Sequence, residues 1–191
     1  GNVDPLTKTI EWGPSTQYDR GWFSAVDVDG PFVVEAHRSL SKMDKWTDKP
    51  RPTRLFCHLG ILNRETRSIA WGESEKYDEK GKFPNIAVSG QIVVEVHQSH
   101  KENALWYHVG DIDAEERSIA WGDSRKYDLG RMPTMDFQGQ SIVEVHQSRK
   151  SDKLWYHVGT VDAQTRTIAW GESQKYDKGY YPNVSITRIT E

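Results

Sequence analysis

A phrase of the form WG-x-S-x-x-YD occurs four times in this chain, beginning at Trp12, Trp71, Trp121 and Trp170, at intervals of 59, 50 and 49 residues. A second phrase occurs three times, as VVEAHRS (Val33–Ser39), VVEVHQS (Val93–Ser99) and IVEVHQS (Ile142–Ser148). Each is followed by a third, LFCHLG once and LWYHVG twice. The glycine after YD always stands fourteen residues before the glutamate of the second phrase: Gly21 and Glu35, Gly81 and Glu95, Gly130 and Glu144. The long first interval has one source. Fifteen residues, 40–54, stand where the later copies carry five, so the unit is about 50 residues and the first copy holds an insertion of about ten. A unit this small cannot cover its own apolar face. Neighbouring units must therefore stack to share a core.

Within a unit, SIAWG, PNIAVS, IVVEVHQ and LWYHVGDI are rich in β-branched and aromatic residues and alternate with period two, while SG, QG and DG mark the turns. No segment keeps a 3.6-residue apolar period. The pattern predicts an all-β chain of tandem four-stranded units, fourteen strands in all, forming one domain over residues 1–191 as three units and a half. One meander per unit suits a β-propeller-like arrangement; a pseudo-threefold β-trefoil or β-prism is the alternative. Residues 40–54, with KPRP near their end, are expected as a surface loop. A left-over half unit exposes strand edges, so a homo-oligomer is expected, most simply a twofold dimer joined near the termini.

Composition narrows the partners. The chain carries 25 Lys and Arg against 28 Asp and Glu, a formal net charge of −3. Nucleic acid bound through its phosphates requires a basic face, and none is visible in the sequence. Apolar runs reach only four or five residues, too few for a transmembrane segment. A single cysteine, Cys57, excludes an internal disulfide and a cysteine-based zinc cluster. Gly1 to Lys8 lack the layout of a signal peptide, which leaves the compartment open.

Six of the seven histidines occupy equivalent positions. Pairing VVEVHQS with LWYHVG around a five-residue loop sets His97 opposite Trp106 and Glu95 opposite His108, all on one face of the hairpin. Val94, Val96, Leu105, Tyr107 and Val109 take the other face. The third copy supplies Glu144, His146, Trp155 and His157. The first supplies Glu35, His37 and His58, with Phe56 in place of the tryptophan. These sets read as a buried hydrogen-bond network, with direct ligand contact and a two-histidine, one-carboxylate metal site as alternatives. A catalytic metal is expected once per molecule rather than in every unit, so neither a metal nor a cofactor is expected.

The WG-x-S-x-x-YD phrase leaves its strand for a loop, where binding residues tend to lie. Trp12, Ser15, Tyr18 and Asp19, then Trp71, Ser74, Tyr77 and Asp78, then Trp121, Ser124, Tyr127 and Asp128, then Trp170, Ser173, Tyr176 and Asp177, each combine an aromatic face, a hydroxyl and a carboxylate, the last three copies being the expected ligand-binding residues. That inventory suits a sugar: the ring contacts its C–H patch and the acid accepts from its hydroxyls. The competing reading is that tryptophan packs beneath the next unit while serine and aspartate organise the turn.

The run IAWGESEKYDEKGKFPNIAVSGQIVVEVHQSHKENALWYHVG resembles the tandem tryptophan-rich repeats of bacterial secreted proteins, including copies appended to phosphatidylinositol-phospholipase-like enzymes. The resemblance extends from Ile10 to about Val184. Such repeats are similar to the blades of propeller-type lectins, which implies recognition of a glycan or cell-surface ligand and implies no catalytic residues. Copy one departs from the pattern at Phe56, Cys57 and Leu59 and in its long loop. The expected function is a non-enzymatic, multivalent carbohydrate-binding protein, a lectin serving cell-surface targeting or defence. The alternatives are a structural or protein-binding repeat and a metal-assisted hydrolase using the Glu/His/His sets.

Overall fold

A computed structural model describes residues 1–39 and 53–187. It is all-β, with no helix among the described residues. A short hairpin, β1 (Asn2–Asp4) and β2 (Thr9–Glu11), comes first. The first sheet holds β3 (Trp22–Asp29), β4 (Phe32–Arg38), β5 (Leu55–Asn63), β6 (Ser68–Trp71) and β7 (Glu75–Asp78). A nine-stranded sheet follows: β8 (Gly81–Ser89), β9 (Ile92–Ser99), β10 (Ala104–Asp113), β11 (Ser118–Trp121), β12 (Arg125–Gln138), β13 (Ser141–Ser148), β14 (Lys153–Asp162), β15 (Thr167–Trp170) and β16 (Gln174–Lys178). Every pairing is antiparallel. The four segments read from the sequence are β11, β8, β9 and β10 and their equivalents.

Sixteen strands stand among the described residues where fourteen were expected for the chain. One addition recurs: the YD segment is a strand, not a loop, at the second, third and fourth copies of the phrase, whereas Tyr18 and Asp19 lie outside any strand. Strand β10 pairs through its C-terminal half with β11 and through its N-terminal half with the start of β12. The fourth strand of the unit is thus two short pieces broken at the WG-x-S bend. EKYD and RKYD are too polar to announce a strand. They form one because the near half of the third strand has unpaired backbone groups to satisfy.

The two faces of each hairpin have different fates. On the apolar face of β4 and β5, Val34, Ala36, Cys57 and Leu59 pack against Ile86, Val88, Val93, Ile112 and Ile119 of the second unit. Val94, Val96, Tyr107 and Val109 of the second unit pack in the same way against Met135, Phe137, Ile142, Val161 and Ile168 of the third. Each interface therefore joins the valine face of one hairpin to the opposite face of the next. At the near ends, β3 lies against β8 and β8 against β12. Bulges at Trp22/Ala25, Lys82/Asn85 and Arg131/Thr134 hold Phe23, Phe83 and Met132 at φ of 53°, 54° and 51°. With Tyr181, these side chains line an apolar groove of about 530 Å³. The insertion expected at 40–54 falls mostly outside the described residues. Of its two described members, Thr53 is buried and donates through Oγ1 to the Gly81 carbonyl at 2.8 Å.

Leu105 is fully buried, and its Cδ1 fills the space a Cβ on Gly130 would take. Leu105→Ala should lower the unfolding free energy by about 2–5 kcal/mol in urea denaturation. A loss below about 1 kcal/mol would mean that the units do not share this core.

Candidate functional site

Strands β9 and β10 pair as the hairpin register requires, Trp106 with His97 and His108 with Glu95. Glu95, His97 and His108 are all buried. The glutamate does not join the histidines as a third ligand. It lies behind His97, its Oε2 3.0 Å from Nδ1. On the other ring, His108 Nδ1 stands 3.2 Å from the Gly122 carbonyl. A carboxylate and a carbonyl both accept only, so this network assigns the Nδ1–H tautomer to both rings. The Nε2 lone pairs then point at Asp78, whose Oδ2 is 3.7 Å from His97 and 3.8 Å from His108. His108 Nε2 has no hydrogen-bond partner despite its burial.

The cluster is stamped into every unit. Asp19, His37 and His58, then Asp78, His97 and His108, then Asp128, His146 and His157, each bring three ligand-capable atoms within 4.8 Å of one another. Glu35 and Glu144 hold His37 and His146 at 3.0 Å. The Gly72 and Gly171 carbonyls hold His58 and His157 at 3.3 and 2.9 Å. In these two units the second histidine reaches the aspartate, at 2.9 Å in both, while the first stays 3.6 Å away. Two acceptors at 2.9 Å attract only when a proton or another cation lies between them. The glycine after YD makes room for the first ring: a Cβ on Gly130 would meet His146 Cδ2 at 2.5 Å.

The WG-x-S-x-x-YD phrase does not form one site per copy. It straddles a boundary between units. Its tryptophan and serine close one cluster, and its tyrosine and aspartate open the next. Trp71 stacks on Tyr18 at 4.9 Å, Trp121 lies 5.2 Å from Tyr77, and Trp170 stacks on Tyr127 at 5.0 Å. These half-buried tryptophans join units, the packing role weighed against ligand contact above. Trp121 Nε1 also donates to Cys57 Sγ at 3.4 Å. Ser74 Oγ donates to Asp19 Oδ2 at 2.9 Å, completing the first cluster. Tyr127 donates through its hydroxyl to Glu144 Oε1 at 2.9 Å. Tyr176 and Asp177 are exposed and meet no histidine pair. Tyr18 and Asp19, from the first copy of the phrase, belong to the first site.

Each cluster opens into a pocket. Asp78, His97, Ser99, Lys101, Trp106 and Ser124 line one of about 300 Å³. Their equivalents Asp128, His146, Ser148, Lys150, Trp155 and Ser173 line one of about 490 Å³. In the first unit Tyr18, Asp19, Ser24 and His37 border about 230 Å³. There Phe56 stacks over His37 at 5.9 Å. The hairpin histidines and the YD aspartates, two separate features in the sequence, are thus one site. Strand pairing from Gly81 to Ser99 brings the neighbouring Asp78 beside His97, a register that becomes countable once the YD segment is known to be strand. No protein-family model matches the chain, and no curated protein matches its sequence.

The titrating groups respond to one another. Burial would raise the Asp19, Asp78 and Asp128 carboxyls, but interaction with His58, His108 and His157, with backbone N–H groups and the other histidines, holds all three below the usual range. Burial would lower His108 and His157. Contact with Asp78 and Asp128 outweighs it and holds both imidazoles above their ordinary value. Burial, reinforced by Glu95 and Glu144, pushes the Tyr77 and Tyr127 phenols well up.

The raised histidines contribute stability that is complete below about pH 6.5 and lost as pH rises through their folded values. The lowered aspartates contribute stability present above about pH 4 and lost as pH falls through theirs. With EDTA present, urea unfolding should therefore be hardest between these limits and easier on both sides. His108→Gln with His157→Gln should flatten the alkaline limb. An unchanged limb in that variant would contradict the Asp/His coupling.

Proposed function

We propose that this chain is a non-enzymatic, multivalent carbohydrate-binding module with three related pockets, its four-stranded units set side by side like propeller blades. One observation carries the proposal. An aromatic face, a carboxylate and two hydroxyls recur around the same pocket: Trp106, Asp78, Ser99 and Ser124 in one unit, and Trp155, Asp128, Ser148 and Ser173 in the next. The tryptophan that offers its face to a sugar is thus the one on the LWYHVG strand, not the one in WG-x-S. Lys101 and Lys150 at the rims add positive charge, so acidic sugars belong among the probes. Weak single sites displayed together gain avidity, which gives the repetition a purpose beyond stacking. The contacts of β3 with β8 and of β8 with β12 support the blade-like arrangement.

Association with a second copy belongs to the same proposal. Ile86 and Val88 of the second unit, and Met135 and Phe137 of the third, are buried against the preceding unit, whereas the matching Val26 and Val28 of the first are 62% and 50% exposed. That face has the composition of one that is covered by a neighbour, and a twofold dimer would cover it.

A glycan array that includes acidic sugars should give a defined set of hits for the full chain. Trp106→Ala with Trp155→Ala should weaken the best hit by roughly tenfold, equivalent to about 1.4 kcal/mol, with unchanged circular dichroism. An array without hits, or a variant that binds as well as the parent, would favour a structural or protein-binding repeat.

A further inference from the structure

The geometry points to a divalent transition-metal ion of the zinc class in each Asp/His/His cluster, held by Asp19, His37 and His58, by Asp78, His97 and His108, and by Asp128, His146 and His157. Donor chemistry comes first. Two neutral imidazole nitrogens and one carboxylate oxygen suit zinc and its first-row neighbours, whereas calcium and magnesium prefer oxygen alone. Orientation comes second. Nδ1 of every ring is occupied, by Glu35, Glu95 or Glu144 on the first histidine and by the Gly72, Gly122 or Gly171 carbonyl on the second. Such partners fix the tautomer that presents Nε2 to a metal and raise its basicity.

A third observation is independent of both. His108 Nε2 is buried without a hydrogen-bond partner, aimed at Asp78 and flanked by His97. A lone pair left so costs free energy unless a cation accepts it. The spacing fits one. Ligands about 2.1 Å from a tetrahedral zinc ion lie roughly 3.4 Å from each other, and Asp78 Oδ2 stands 3.7 and 3.8 Å from the two Nε2 atoms. Asp78 and His97 also line the pocket, so the remaining coordination position opens where a ligand enters. The inference stands apart from the glycan proposal, since it concerns the metal alone.

Full-length protein stripped with chelator and titrated with zinc chloride, without any sugar, should bind about three ions per chain by calorimetry and by elemental analysis after dialysis. X-ray absorption at the zinc edge should show nitrogen and oxygen neighbours with imidazole scattering. Asp78→Asn, which disables one cluster and leaves two, should reduce the stoichiometry to two. His97→Gln with His108→Gln should do the same. His100→Gln and Trp106→Ala, which remove no proposed ligand, should keep three. Failure of the stripped parent to bind zinc at micromolar concentration would overturn the proposal and leave protons as the cations in the clusters. So would a stoichiometry unchanged in both cluster variants. Neither result bears on glycan binding, which the array reads separately.

Discussion

A buried carboxylate must be answered by donors, and at Glu144 the donors come from two different units. Glu95 and Glu144 are fully buried. Each holds a histidine of its own hairpin, while Tyr127, on the segment that closes the preceding unit, donates to Glu144. Leaving such a group without partners costs several kcal/mol, on the order of 3–5 when one member of a buried pair is removed. The polar face of the third hairpin is therefore complete only when the preceding unit supplies Tyr127 and Asp128. The valine face makes the matching demand on the unit that follows. Stacking in one direction and in one register satisfies both, which ties the site to the architecture: the cluster exists only where two units meet.

This dependence explains what could be read in advance. Alternation with period two is local, so the hairpin pairing, including Glu95 opposite His108 and the valine face, is legible from VVEVHQS and LWYHVG alone. Turn residues gave the meander, and the spacing gave the units. The identity of the site residues depends on pairing between units, which periodicity does not encode. Tyr77 and Asp78 belong to a polar tetrapeptide that becomes a strand only because the near half of β5 accepts it. Trp71 looks like part of the same site as Tyr77 because the two are close in sequence, yet it stacks on Tyr18 of the earlier phrase. Asp177 repeats the motif yet is exposed and joins no histidine pair among the described residues. A repeated phrase marks a repeated boundary as readily as a repeated site.

Recurrence also shapes the chemistry. Three clusters share one design but differ in detail: in the second, the aspartate is spaced from both histidines, whereas in the first and third it has drawn to within 2.9 Å of one. The first and third thus have the spacing of a proton shared between two atoms, and the second a wider one. The tryptophan beside it in two units, and Phe56 in the first, set how much apolar surface lies next to that charge.

The central claim is that all six hairpin histidines carry their proton on Nδ1, presenting Nε2 lone pairs to a shared aspartate. Long-range proton–nitrogen correlation NMR on ¹⁵N-histidine-labelled, chelator-treated protein reads this directly at alkaline pH. The account predicts six Nδ1–H tautomers, with His100 free to differ, and loss of that preference at His97 in Glu95→Gln. Nε2–H tautomers at His37, His97 and His146 would place lone pairs against the buried glutamates and contradict it.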